Sequence, residues 1–356
     1  MSEEDAIRRS IRLFMDGFGE PSADLPDRVL AHAASEQRRS LGHTPAWALG
    51  ISIVVAVALV FTMLYVSRAR GTDGSTPAAP PPGWRLESSL GAEIMVPNGW
   101  AVNDFGCNMT NRSSVVRAEG AVPLCFTSEP ATKEVAIMAA SAPGDGEGRL
   151  PKHAASIDGV NATRAEGRLA DGRYAGWIDV PSRHVGLSVR TRSQATTRRI
   201  LDSLRLVGTD HLGCPTQQRP ALVPPPAQPA TDFAPSNATA ITVCYYGPLP
   251  DARLQTSAEL RGSAAQNLAA AMNASAPGGN PDNTTGCLKP SAPVVDAVLL
   301  VRTPDGQITS IAATFSECLG RGLDNGSKRV HVTVTLLDMF IGPVHAGYTY
   351  LMDLPE

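Results

Sequence analysis

From Trp47 to Val66 the chain carries no charged residue. At about 1.5 Å of rise per residue, a helix over this stretch is roughly 30 Å long, the thickness of a bilayer's hydrocarbon core. Trp47 and Tyr65 stand near its two ends, where amphipathic rings favour the headgroup region. The helices of a soluble core are rarely so long and so free of charge. A cleaved signal peptide would open on a short basic segment and close on a small-residue cleavage site. Here the apolar run begins only at residue 46 and is followed by Ser67-Arg68-Ala69-Arg70. The expectation is an uncleaved anchor over 46–66, in contact with membrane lipid, with Trp47 and Val66 as its ends.

Arginines flank both sides of this run, Arg28, Arg38 and Arg39 before it and Arg68, Arg70 and Arg85 after it, so the positive-inside rule does not orient it. Cysteine does. Cys107, Cys125, Cys214, Cys244, Cys287 and Cys318 all follow the run and none precedes it. An even set confined to one side fits an oxidising compartment, which places the N-terminus in the cytoplasm and the long C-terminal region outside the plasma membrane. With 18% charged residues and a net charge of −3, the chain offers no basic surface for nucleic acid.

Residues 1–45 read as a cytoplasmic helical tail. Ile7, Ile11, Phe14 and Phe18 recur at helical spacing, and Glu4–Arg8 and Asp5–Arg9 are i,i+4 pairs on other faces. So short a segment buries little core by itself. Its apolar stripe is a candidate docking surface for a cytoplasmic regulator, or else the tail only anchors. A membrane-tethered anti-sigma factor is one model for such a tail, but the zinc-binding kind of that class needs cysteines that this tail lacks.

Beyond the anchor, 67–83 is a Pro/Gly-rich stalk and 211–238 a Pro-rich linker. They delimit two ectodomains, 84–210 and 239–356. In the first, 92–102, 134–141 and 172–191 read as strands, the last as two strands turning at Pro181-Ser182, and 193–207 as a helix with Ala195, Ile200, Leu201 and Leu204 on its buried side. In the second, 239–246 reads as a strand, 263–275 as a helix, and 296–315 as a hairpin turning at Pro304-Asp305-Gly306. The stretch 328–342 reads as a strand passing into a short helix. Strands and helices in both pieces lead to an α+β class: one transmembrane helix followed by two small disulfide-bonded α+β ectodomains.

The segments "VPNGWAV" and "RRILDSLRLV" resemble the small α/β sandwich of bacterial lipoproteins related to the photosystem II extrinsic subunit P. "WRLESSLGAEIMVPNGWAV", "GLSVRTRS" and "DHLGCP" are more similar to actinobacterial single-pass envelope proteins of uncharacterised function. The resemblance covers residues 84–215 best. It implies a fold and a cell-envelope setting, and it carries no active site.

Cys107 and Cys125 stand alone in the first ectodomain and are expected to pair. For the remaining four, Cys214–Cys244 and Cys287–Cys318 are preferred among three pairings, each joining an irregular segment to a nearby strand end. No closely spaced cysteine pair or neighbouring histidine suggests zinc, and there is no C-x-x-C redox motif. H-E-x-x-H and G-x-S-x-G are both missing. Asp171, His184 and Ser188 make a triad on paper only. Trp84, Trp100 and Trp177 are candidate groove residues that core packing explains better. "GRGLDNGSK" (320–328) has the glycines of an anion nest but equally those of a plain turn.

No catalytic, metal or cofactor residue is therefore assigned. The expected role is a non-enzymatic, membrane-anchored, extracytoplasmic binding or sensing protein that meets an envelope ligand or protein and signals through its tail. A tethered hydrolase and an inert structural envelope protein are the alternatives.

Overall fold

The computed structural model describes residues 79–104, 112–117, 133–141, 150–217, 232–246, 253–282, 295–316 and 319–345. In chain order the first half contains β1 (Trp84–Ser89), β2 (Ala92–Pro97), β3 (Ala101–Val102), β4 (Ser114–Arg117), β5 (Val135–Ala139) and β6 (Lys152–Ile157). It continues with β7 (Val160–Arg168), β8 (Tyr174–Val180), β9 (Val185–Thr191), α1 (Gln194–Asp202) and β10 (Arg205–Leu206). The second half contains β11 (Ala240–Tyr245), β12 (Thr256–Arg261), α2 (Ser263–Ala274), β13 (Ala297–Arg302) and β14 (Ile308–Thr314). Then follow β15 (Gly322–Asp324), β16 (Arg329–Val330) and α3 (Val334–Val344).

These strands form three sheets. A three-stranded sheet runs β1-β2-β10, a seven-stranded one β3-β4-β5-β9-β8-β7-β6, and a six-stranded one β12-β11-β13-β14-β15-β16. The six-stranded sheet is antiparallel throughout, whereas β3–β4 and β4–β5 are parallel pairs. Both halves belong to one compact unit, Thr76–Glu356.

In the first half, Ser193 caps α1 by accepting from the Thr196 N–H (3.3 Å), and the helix buries Ile200 and Leu201 while Ala195, expected on the buried side, is exposed in its first turn. It lies on β8 and β9 and also meets β2, so Ile94 and Val96 join Ile178, Leu187 and Val189 in one core. A Cβ at Gly176 would stand 2.5 Å from Leu201 Cδ1, so the absence of a side chain on β8 lets the helix settle onto the sheet. In the second half, alternate residues of β11 and β13 (Ile241, Val243, Leu299, Val301) pack beneath α2 and α3. Phe315 and Phe340 meet there edge to face, 6.2 Å apart.

The α+β expectation is corrected. Strands hold 44% of the described residues and helices 17%, in three sheets with three α-helices, so the described part of the chain is mostly β. The strands at 92–97, 135–139, 174–191 and 240–245, the hairpin 297–314 and helices close to the expected positions are all present. The balance shifts because β1, β4, β6, β7 and β12 carry no readable apolar run. β6 and β7 are rich in alanine and polar residues, and their strand character comes from six consecutive cross-strand pairs. The expected helix over 193–207 stops at Asp202, and Arg205–Leu206 joins the small sheet beside β2.

Among the described residues no helix is long and apolar enough to cross a membrane. The anchor ends Trp47 and Val66, the tail residues Ile7, Ile11, Phe14 and Phe18, and Cys107, Cys125, Cys287 and Cys318 lie outside the described residues.

Candidate functional site

The polar residues that the fold gathers lie where the first half meets the second. β1 alternates its side chains, and on one side Arg85, Glu87 and Ser89 face this seam. Glu87 is buried and held by two arginines: Arg85 Nε donates to its Oε1 (2.6 Å) and Arg117 Nη1 to its Oε2 (2.8 Å). Arg117 ends β4 and reaches across, Nη1 donating to the Ser257 carbonyl and Nη2 to the Val344 carbonyl, both at 3.0 Å. Its Nε has no hydrogen-bond partner among the described residues. Burial pushes the guanidinium below its ordinary value while Glu87 opposes the shift, and arginine still stays charged.

The α3 terminus is docked by the same group. Val344 O also accepts from Thr256 Oγ1 (3.1 Å), and the Asn103 amide donates to the carbonyl of His345. His345 caps the helix in the left-handed region (φ 52°). Burial first, and then the neighbouring Arg117 charge, hold its imidazole below the ordinary histidine value, with Glu87 acting the other way.

Asp210 organises the segment that crosses the seam. Its Oδ1 accepts from the backbone N–H of Cys214 (2.7 Å) and Leu212 (3.0 Å), and its Oδ2 accepts from the Ser257 hydroxyl. Burial raises its carboxyl despite these donors. The turn so formed presents Cys214 to Cys244 of β11, and the two form a disulfide, as the sequence reading preferred. Around it Tyr246, Leu254 and Val298 make a small core of their own. The Tyr246 hydroxyl, pushed up by burial, donates to Pro215 O (3.0 Å).

A second cluster sits on the small sheet. Ser88 and Arg205 are the cross-strand neighbours of Glu93, and both donate to it, at 2.9 Å and 2.8 Å. His211 adds its backbone N–H (2.9 Å) and its Nδ1 (2.8 Å) to Glu93 Oε1. Burial would raise this carboxyl, but the hydrogen bonds and charge of His211, with the Ser88 hydroxyl, outweigh it and hold the group below the ordinary carboxylate value.

Serine, histidine and a carboxylate thus meet, which the sequence reading missed because Ser88, Glu93 and His211 follow no motif. Their geometry is not that of a relay. A nucleophilic serine needs the ring nitrogen opposite the one that faces the acid. Here Ser88 Oγ and Glu93 Oε1 both approach Nδ1, at 3.1 Å and 2.8 Å, and the network assigns the ring proton to that atom. The Ser88 hydroxyl donates to the carboxylate, and the cluster fixes the 210–216 segment to β2.

The paper triad is not assembled. Asp171 lies just before β8, tied to Arg173 (2.8 Å), while His184 follows the far end of that strand, roughly 20 Å away at β-strand rise. Ser188 sits within β9 opposite Trp177. Trp100 and Trp177 are buried, and Trp84 lies under Arg199, whose guanidinium is 4.3 Å from the ring centroid. Among the described residues no group of three or more His, Cys, Asp and Glu gathers to hold a metal.

Fold and seam together define a class: a mostly β, disulfide-fastened module whose two halves are joined by hydrogen bonds of a buried arginine and a buried aspartate. No family model matches the chain, and no curated protein or solved structure matches it either.

Proposed function

We propose that this chain is a membrane-anchored, extracytoplasmic binding or sensing module of the cell envelope that works without catalysis. The uncharged run from Trp47 to Val66 supports the anchor, and the Cys214–Cys244 disulfide supports an oxidising compartment for the region beyond it. The observation that carries the non-catalytic reading is the approach of Ser88 and Glu93 to the same nitrogen of His211. That arrangement spends three groups of catalytic type on holding a segment in place. The ligand in this reading is a component of the envelope, and the tail residues Ile7, Ile11, Phe14 and Phe18 are the contact for a cytoplasmic regulator.

The test is cross-linking in intact cells, followed by capture of the full chain and of a version lacking residues 2–45. Shared outer partners, plus a cytoplasmic protein held only by the full chain, are the expected result. Protease added outside intact cells should also cut the region beyond residue 66. Complete protection of that region would overturn the topology. Turnover of an ester or peptide substrate that is lost in Ser88→Ala would overturn the non-catalytic reading.

A further inference from the structure

Most arginines of the first half are spent inside the protein. Arg85 and Arg117 hold Glu87, Arg164 pairs with Asp202, Arg198 with Glu166 and Arg205 with Glu93. Arg199 differs. It is exposed on α1, and its guanidinium lies 4.3 Å from the centroid of the Trp84 ring, within cation–π reach. Among the described residues no oxygen accepts a hydrogen bond from it and no carboxylate pairs with it. The ring holds the charge in place while its N–H donors stay unspent by the protein.

The surface around the pair carries no acid. Trp84 is half-buried at the start of β1, beside two turns: Trp84 N donates to Pro81 O in one and Trp100 N to Pro97 O in the other, both at 3.1 Å. Asn98 N donates to Gly83 O (2.9 Å) and ties them together. Pro82, Gly83, Asn98 and Gly99 are exposed. Neither 79–86 nor 97–103 contains a carboxylate, and Asp202, the one acid of α1, is taken by Arg164.

The chain arrives here directly from the expected anchor. Only residues 67–78 separate Val66 from Ala79, and they reach at most about 40 Å when fully extended. A tether of this kind raises the local concentration of the surface it leads to, to roughly the millimolar range, so a weak contact beside its end is well populated. The attraction must also be local, because a chain with a net charge of −3 gains nothing as a whole from an anionic bilayer.

Resting on the anchor reading of 46–66, we propose that Trp84, Arg199 and the turns at 81–84 and 97–100 form a membrane contact in which Arg199 donates to the phosphate oxygens of anionic phospholipid headgroups. The guanidinium fork matches phosphate oxygens in pairs. Trp84 suits the same depth, since its ring is apolar and its indole N–H polar. Proline, glycine and asparagine at the two turns let the backbone approach the headgroups with no charge to be repelled. A single arginine near such a surface changes occupancy roughly fivefold, which is enough to orient a module already held by its tether.

The experiment uses the full chain reconstituted into lipid vesicles (phosphatidylglycerol-rich, or of phosphatidylcholine alone), with a fluorophore on Asn98→Cys and a quencher carried by lipid headgroups. Gln307→Cys, exposed at the hairpin tip of the second half, is the comparison position, and the unsubstituted chain sets the labelling background. Flotation with the vesicles at high salt reports the anchor independently of the contact. The expected result is flotation with both lipids, and quenching at 98 that exceeds that at 307 in phosphatidylglycerol and is reduced in phosphatidylcholine. Arg199→Gln should lower the ratio of quenched to unquenched label roughly fivefold with the circular dichroism spectrum unchanged. Arg198→Gln, on the flank of α1 that pairs with Glu166, should lower it less. A chain that floats but shows equal quenching at 98 and 307, equal quenching in the two lipids, or no effect of Arg199→Gln overturns the contact and leaves the anchor standing. A chain that floats with neither lipid overturns the anchor and the contact with it.

Discussion

The seam and the helix-covered core of the second half are both buried, and they are held by opposite means. Beneath α2 and α3, Ile241, Leu299, Met272 and Phe340 exclude water with apolar surface alone. At the seam, Glu87, Arg117, Asp210 and Ser257 are equally secluded but must satisfy charges and hydrogen bonds. Apolar contact tolerates small shifts, whereas a buried arginine that is paired with Glu87 in one half and donates to two carbonyls of the other allows one docking geometry. The seam therefore fixes how the halves meet, while the cores determine whether each half folds.

The comparison can be broken first in the core. Phe340→Ala removes an aromatic ring from a packed interior and should cost about 3–5 kcal/mol, read as a lower denaturant midpoint. An Arg117→Met variant should cost about 3 kcal/mol, because Glu87 stays buried with one of its two arginines gone and the Ser257 and Val344 carbonyls each lose a donor. Adding Glu87→Gln should recover part of that loss. If the double variant is no more stable than the single one, the pairing of Glu87 with Arg117 is not the source of the cost.

Replacing Cys214 and Cys244 by alanine removes a cross-link that spans the seam and should cost roughly 3 kcal/mol. Its distinguishing sign would be separate unfolding of the two halves by two probes, which Phe340→Ala should not produce.

A smaller effect comes from acid. His345 is held below its ordinary value of 6.5, so the unfolded chain takes up its proton first and stability falls as pH drops below 6.5, levelling off below the folded value. Glu93 is held below 4.5, so its contribution is complete above pH 4.5 and is lost as pH falls through the lower folded value. His345→Asn keeps a residue that tolerates positive φ and should flatten the upper part of the acid profile only. The smallest change is Ser193→Ala, which removes the α1 cap for about 1 kcal/mol and should leave the seam untouched.

Much of the fold was legible in the residues. The stretches 92–97, 135–139, 240–245 and 297–314 alternate or run apolar with β-branched residues, and α1, α2 and α3 show helical spacing close to where they occur. β6 and β7 were not legible, because a half-exposed strand of alanine, threonine and charged residues has no hydrophobic period to read. The site was less legible still. Only the Asp210-to-Cys214 turn had a local signal, an aspartate whose side chain can accept from N–H groups two and four residues on. Glu87, Glu93 and Arg117 look in sequence like surface charges at strand ends.

By itself, the sequence determined the features that depend on neighbours along the chain: an uncharged run long enough for a bilayer, the cysteines on one side of it, the breakers at 67–83 and 211–238, and the main strands and helices. The tertiary structure alone decided the balance towards β and the placing of two carboxylates, Glu87 and Asp210, and an arginine between the halves. It also put Ser88 and Glu93 on one nitrogen of His211. Cross-strand pairing and burial join residues more than a hundred positions apart, and a charge shows whether it is solvated or buried only once its distant partners are in place.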